Sequence, residues 1–85
     1  MQIRIQTNVP KKGKLAEKVF EADRLYLLDA PTYALHVTHR ELDRMRFKIE
    51  SGCRVIDSNG VFRIVDIEWY SIRKYPIITL QPEAA

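Results

Sequence analysis

The stretch RVIDSNGVFRIVDIE, residues 54–68, decides the fold class. Two runs rich in valine and isoleucine flank Asn59-Gly60. That pair suits a type I′ turn, because both central residues need positive φ, which asparagine and glycine tolerate best. Residues 53–57, CRVID, and 61–68, VFRIVDIE, are therefore expected as the two strands of a hairpin, with Asp57 supporting the turn.

Towards the C-terminus, residues 69–74, WYSIRK, read as a loop with aromatic content. Residues 75–80, YPIITL, read as a closing strand, with Pro76 near its start, where a missing N–H donor costs least. Upstream, Glu50-Ser51-Gly52 turns the chain. Residues 44–49, RMRFKI, alternate: Met45, Phe47 and Ile49 share one face, Arg44, Arg46 and Lys48 the other, which predicts a strand. A helix over 41–49, using Leu42, Met45 and Ile49, competes, but it leaves Phe47 off the apolar face. Residues 32–39, TYALHVTH, also alternate, with Tyr33, Leu35 and Val37 on one face. Residues 40–43, RELD, then connect two antiparallel strands.

At the N-terminus, residues 2–6, QIRIQ, place Ile3 and Ile5 on one side and Gln2, Arg4 and Gln6 on the other, a half-buried strand. Residues 7–14, TNVPKKGK, form a loop by composition. Residues 15–28 fit either a helical stripe (Leu15, Val19, Ala22, Tyr26) or a two-sided strand. The expectation is a strand over 15–21 followed by a short helix or irregular turn, ended by Asp29-Ala30-Pro31. The sum is a mainly β fold: a small barrel or sandwich of five to six short antiparallel strands with at most one short helix.

Eighty-five residues make a single β-rich domain, 1–85. A chain that is 46% hydrophobic and 29% charged is not of disordered composition. The net charge of +3 permits contact with nucleic acid or an acidic surface without demanding it. One cysteine, Cys53, excludes an internal disulfide and suggests a reducing compartment. With no apolar run of signal-peptide or bilayer-spanning length, a soluble intracellular protein without membrane contact is expected.

Little catalytic chemistry is legible. On an alternating strand, His36 and His39 face opposite sides and do not converge on one metal ion, and no second cysteine or histidine pair completes a tetrahedral site. Cys53 carries no local nucleophile signature and reads as a buried thiol. The three glycines form no phosphate loop. The expectation is a protein that is not an enzyme, with no catalytic, metal or cofactor residues.

Two features carry charge towards partners. Lys11, Lys12 and Lys14 lie in the first loop. Arg44, Arg46 and Lys48 form an outward row, extended by Arg54 and Arg63. Both could meet phosphates, although such a row is also what a solvated strand face looks like. Trp69 and Tyr70, in a loop with Arg73 and Lys74, are candidate protein-contact anchors; Trp69 serves equally as a lid on the small core.

The order of pieces from residue 38 to residue 83 resembles the head-tail joining (stopper) proteins of long-tailed bacteriophages. The matching pieces are Thr38-His39-Arg40, the arginine-rich alternating strand Arg44 to Ile49, Gly52, Arg54-Val55, Asn59-Gly60, Phe62 to Val65, and Ile77 to Leu80 before Glu83. The family's longer N-terminal hairpin or mobile loop shrinks here to TNVPKKGK. The resemblance implies a β-barrel subunit of a ring that joins portal and tail proteins and closes the channel or docks the tail. Such a subunit is made in the bacterial host cytoplasm and resides in the neck of the virion, with non-specific DNA contact from axial basic loops. Loop position and residue type then assign Trp69, Tyr70 and Arg73 to protein contacts and Lys11, Lys12 and Lys14, with Arg44, Arg46 and Lys48, to the channel or to nucleic acid. The alternative is a small β-barrel that binds nucleic acid; a third class is a small hydrolase or nuclease using His36 or His39.

Overall fold

The computed structural model describes residues 1–7, 16–69 and 75–83. Six strands form one closed antiparallel barrel: β1 (Gln2–Gln6), β2 (Glu17–Leu27), β3 (Ala30–Leu35), β4 (Arg54–Asp57), β5 (Gly60–Glu68) and β6 (Ile77–Pro82). The order around the barrel is β1-β2-β3-β6-β5-β4, with β4 pairing back onto β1. Closure leaves no edge strand among the described residues to template aggregation. The mainly β class with one short helix among the described residues is as the sequence predicted, and of the barrel and the sandwich it left open the structure shows the barrel.

The interior follows from period-2 alternation. Ile3 and Ile5, Phe20 and Ala22, Tyr33 and Leu35, Val55, Phe62 and Ile64, and Ile78 and Leu80 are buried in one cluster. Truncating one of its larger aliphatic members, such as Leu35, to alanine should cost about 2–5 kcal/mol. β5 breaks its own alternation. Its register against β6 shifts between Ile64 and Asp66, leaving Val65 as the extra residue of a bulge. Inward positions therefore run Phe62, Ile64, Ile67 rather than every second residue.

Residues 15–28 resolve as part of one long strand. β2 runs unbroken to Leu27, so the helix or irregular turn expected after residue 21 is not formed. Pairing decides against it: β2 is hydrogen-bonded to β1 and, from Ala22 to Leu27, to β3. The chain reverses at Leu28-Asp29 into β3, which stops at Leu35 rather than at residue 39.

The expected strand over 44–49 is also corrected. Residues His39–Met45 form the helix α1. Thr38 is its N-cap, its side-chain oxygen accepting from the Glu41 N–H at 3.2 Å, and Thr38-His39-Arg40-Glu41 has the T-x-x-E spacing of a capping box. Arg46, with φ 56°, ends the helix in the left-handed conformation. Phe47 then escapes the apolar-face objection, because it lies beyond the helix and is buried independently, as is Ile49, whereas Met45 is exposed. Leu42, Phe47, Ile49 and Cys53 join the core cluster and close one end of the barrel, and Phe20 and Phe47 meet edge to face with centroids 5.5 Å apart.

The hairpin of residues 54–68 forms, but one residue out of the expected turn register. The turn residues are Ser58 and Asn59, and Gly60 pairs with Asp57 as the first residue of β5. Neither turn residue has positive φ; Gly60 does, at 134°, so the turn is not type I′. Asp57 Oδ1 accepts from the Asn59 N–H at 2.6 Å, which holds the reversal locally and lets the chain dispense with the mirror-image geometry.

Candidate functional site

Strand directions put the β2–β3 and β4–β5 turns at one end of the barrel, and the β3–α1–β4 connection with the end of β5 at the other. Each end carries exposed apolar surface.

At the turn end the β2–β3 hairpin presents Leu25, Tyr26, Leu27 and Leu28, and Leu28 is 100% exposed. Leu28 also has φ 57°. The left-handed region costs a residue with a Cβ about 1–2 kcal/mol. Glycine or asparagine would sit there at less cost, so leucine is disfavoured both by backbone conformation and by hydration. Leu25 and Leu27 occupy outward positions of β2, so the tip continues a strip of apolar surface along that strand's edge of the hairpin. Exposed apolar clusters of this kind on a small barrel mark contact surfaces.

At the helix end lies an open groove of about 740 Å³ between α1, the stretch 46–51 and the end of β5. Leu42, Phe47, Ile49, Ile67 and Trp69 supply its apolar surface, and Asp43, Arg46 and Asp66 supply charge. Trp69, 39% exposed, meets His39 edge-on with centroids 5.1 Å apart. The His39 Nε2 atom is buried without a hydrogen-bond partner among the described residues. Trp69 thus rests against the first residue of α1 and lines the groove. Tyr70 and Arg73, the other expected contact residues, lie outside the described residues, as do Lys11, Lys12 and Lys14.

The expected basic row does not form. Arg44 lies in the last turn of α1, Arg46 is its cap, and Lys48 follows it, its Nζ 3.8 Å from Glu50 Oε2. With no strand here, the alternation expected to align the three is absent. Arg54 and Arg63 do stand directly opposite each other on β4 and β5, but both donate to Glu83 Oε1 at 2.9 Å. Desolvation raises the Glu83 pKa; the hydrogen bonds and charges of the two guanidinium groups outweigh it and hold the carboxyl below its ordinary value. Glu83 thereby offsets a cross-strand repulsion that would otherwise oppose pairing.

The histidines stay apart in role. His36 follows β3 and its Nε2 lies 2.7 Å from Asp23 Oδ2, while His39 opens α1. Among the described residues no group of three or more His, Cys, Asp or Glu side chains is placed to hold a metal ion. Cys53 is fully buried, as the sequence suggested. No helix among the described residues is long and apolar enough to cross a membrane.

The hairpin tip was missed by reasoning from the sequence. Its signal was the run Leu25-Tyr26-Leu27-Leu28 directly before Asp29-Ala30-Pro31: four large apolar residues ending at a chain reversal, where solvated residues are the norm. Comparison with protein-family models, with curated proteins and with solved structures finds no significant match for this chain.

Proposed function

We propose that the chain is a structural subunit that acts through protein contacts at the two ends of its barrel, and that its setting is the head-tail connector of a long-tailed phage, joining portal and tail proteins. The observation that carries the contact reading is Leu28, fully exposed at positive φ on the tip of a hairpin that presents three further apolar side chains. The phage setting rests on the resemblance over residues 38–83. Its pieces Arg54-Val55, Asn59-Gly60, Phe62 to Val65 and Ile77 to Leu80 fall in or beside β4, β5 and β6, whereas its arginine-rich piece falls on α1 and the residues after it. A convex tip at one end and a concave groove at the other give each copy two different surfaces, as heterologous contacts in a ring require.

The nucleic-acid alternative draws on Lys11, Lys12 and Lys14 and on the exposed Arg44, Arg46 and Lys48, since Arg54 and Arg63 are engaged by Glu83. Electron microscopy of the chain mixed with a phage portal ring tests the connector reading. A collar of added density on the ring supports it. An unchanged ring, together with duplex DNA binding that weakens steeply with salt, favours the alternative.

A further inference from the structure

At the turn end of the barrel the guanidinium of Arg24 sits inside an enclosure built by three other strands and its own. Its central carbon lies 5.2 Å from the ring centroid of Tyr26, 5.6 Å from that of Tyr33 and 5.4 Å from that of Phe62. The fourth wall is the Asp57 carboxylate, whose side chain is fully buried and whose Oδ2 lies 3.9 Å from Arg24 Nη1. Three aromatic faces and one carboxylate around a cation are the chemistry of an aromatic cage.

The occupant is held by charge and by ring faces rather than by its donors. A separation of 3.9 Å exceeds hydrogen-bond length, and Arg24 Nε is buried with no acceptor among the described residues. Burying that Nε–H without an acceptor is a poor match between cage and occupant. The carboxylate's own bonds go elsewhere: Tyr33 Oη donates to Oδ2 and the Asn59 N–H to Oδ1. One wall of the cage, Tyr26, is 67% exposed on the hairpin tip, so the enclosure borders solvent.

We propose that this end of the barrel is a recognition site for alkylammonium and alkylated guanidinium cations, filled in the free chain by its own Arg24. A cation with few donors fits the walls without stranding one, and it gains access when Arg24 is removed or withdrawn. The inference stands independently of the connector reading.

The test is Arg24→Ala titrated with tetramethylammonium chloride, against sodium chloride at equal ionic strength, followed by the aromatic NMR signals. The expected result is a saturable shift confined to Tyr26, Tyr33 and Phe62, at least tenfold weaker in the wild-type chain, where Arg24 competes. A response that does not saturate, or one of equal size in the wild type, overturns the proposal. The wild-type chain supplies a check that needs no variant to fold. Ring currents from three faces should move the Arg24 side-chain proton signals upfield of those of every other arginine, and an Arg24 signal at the ordinary position overturns the cage itself.

Discussion

Tyr33 and Asp57 stand on β3 and β4, strands on opposite walls of the closed barrel that share no backbone hydrogen bond, yet the Tyr33 hydroxyl donates to Asp57 Oδ2 across the interior. The contact spans the barrel where its turn end would otherwise open, and Asp57 also holds the Ser58-Asn59 turn. Tyr33→Phe leaves a buried carboxylate oxygen short of a donor, which should cost about 1–3 kcal/mol. Urea unfolding checks this: the midpoint should fall with the slope unchanged. Asp57→Ala should cost more than Tyr33→Phe, because it also removes the turn's acceptor and the counter-charge of Arg24.

The Glu83 clamp predicts a pH dependence. Its folded pKa lies below the ordinary value of 4.5, so the unfolded chain takes up the proton first as pH falls. The stability it contributes is present above that ordinary value and is lost as pH falls through the folded pKa. Glu83→Gln should therefore flatten the acid limb of the stability curve below pH 4.5. Thermal melts of both chains across that range read the difference directly; parallel acid limbs would contradict the clamp.

The helix is testable at its ends. Thr38→Ala should cost about 1 kcal/mol through loss of the N-cap bond. Arg46→Gly should be neutral or stabilising, because glycine accepts the left-handed conformation without a Cβ penalty. If residues 44–49 were a strand instead, Arg46→Gly would destabilise, so the sign of its effect separates the two structures.

Leu28 separates stability from assembly. Leu28→Asn should stabilise the isolated chain by roughly 0.5–1 kcal/mol, since asparagine tolerates positive φ and prefers water. The same change should weaken assembly, because it removes the most exposed apolar side chain of the tip. Chemical denaturation and sedimentation velocity on one preparation measure the two effects.

The sequence was legible where one face is wet and the other dry. Ile3 and Ile5, and Val55 with Phe62 and Ile64, alternate cleanly and give the strands they predict. It misled where alternation had another cause. Met45, Phe47 and Ile49 share strand parity, but Met45 ends a helix while Phe47 and Ile49 pack from the extended chain beyond it. The T-x-x-E spacing of Thr38 and Glu41, which the reading of residues 41–49 did not use, marks where the helix begins. β2 was obscured because its outward face carries Val19, Leu25 and Leu27, so its hydrophobicity looked helical as readily as extended. The cage around Arg24 was not legible at all: its members come from β2, β3, β4 and β5, and only closure of the barrel brings them together.

The central claim is that partners are met at the ends of the barrel, above all at the tip formed by Leu25 to Leu28. Hydrogen-deuterium exchange of the chain, free and mixed with a phage portal ring as the proposed connector role requires, tests it most directly. The account predicts that peptides covering residues 24–31 exchange more slowly in the assembly. Unchanged exchange there, with protection appearing instead over the outer faces of β4 and β5 at Arg54 and Arg63, would contradict it.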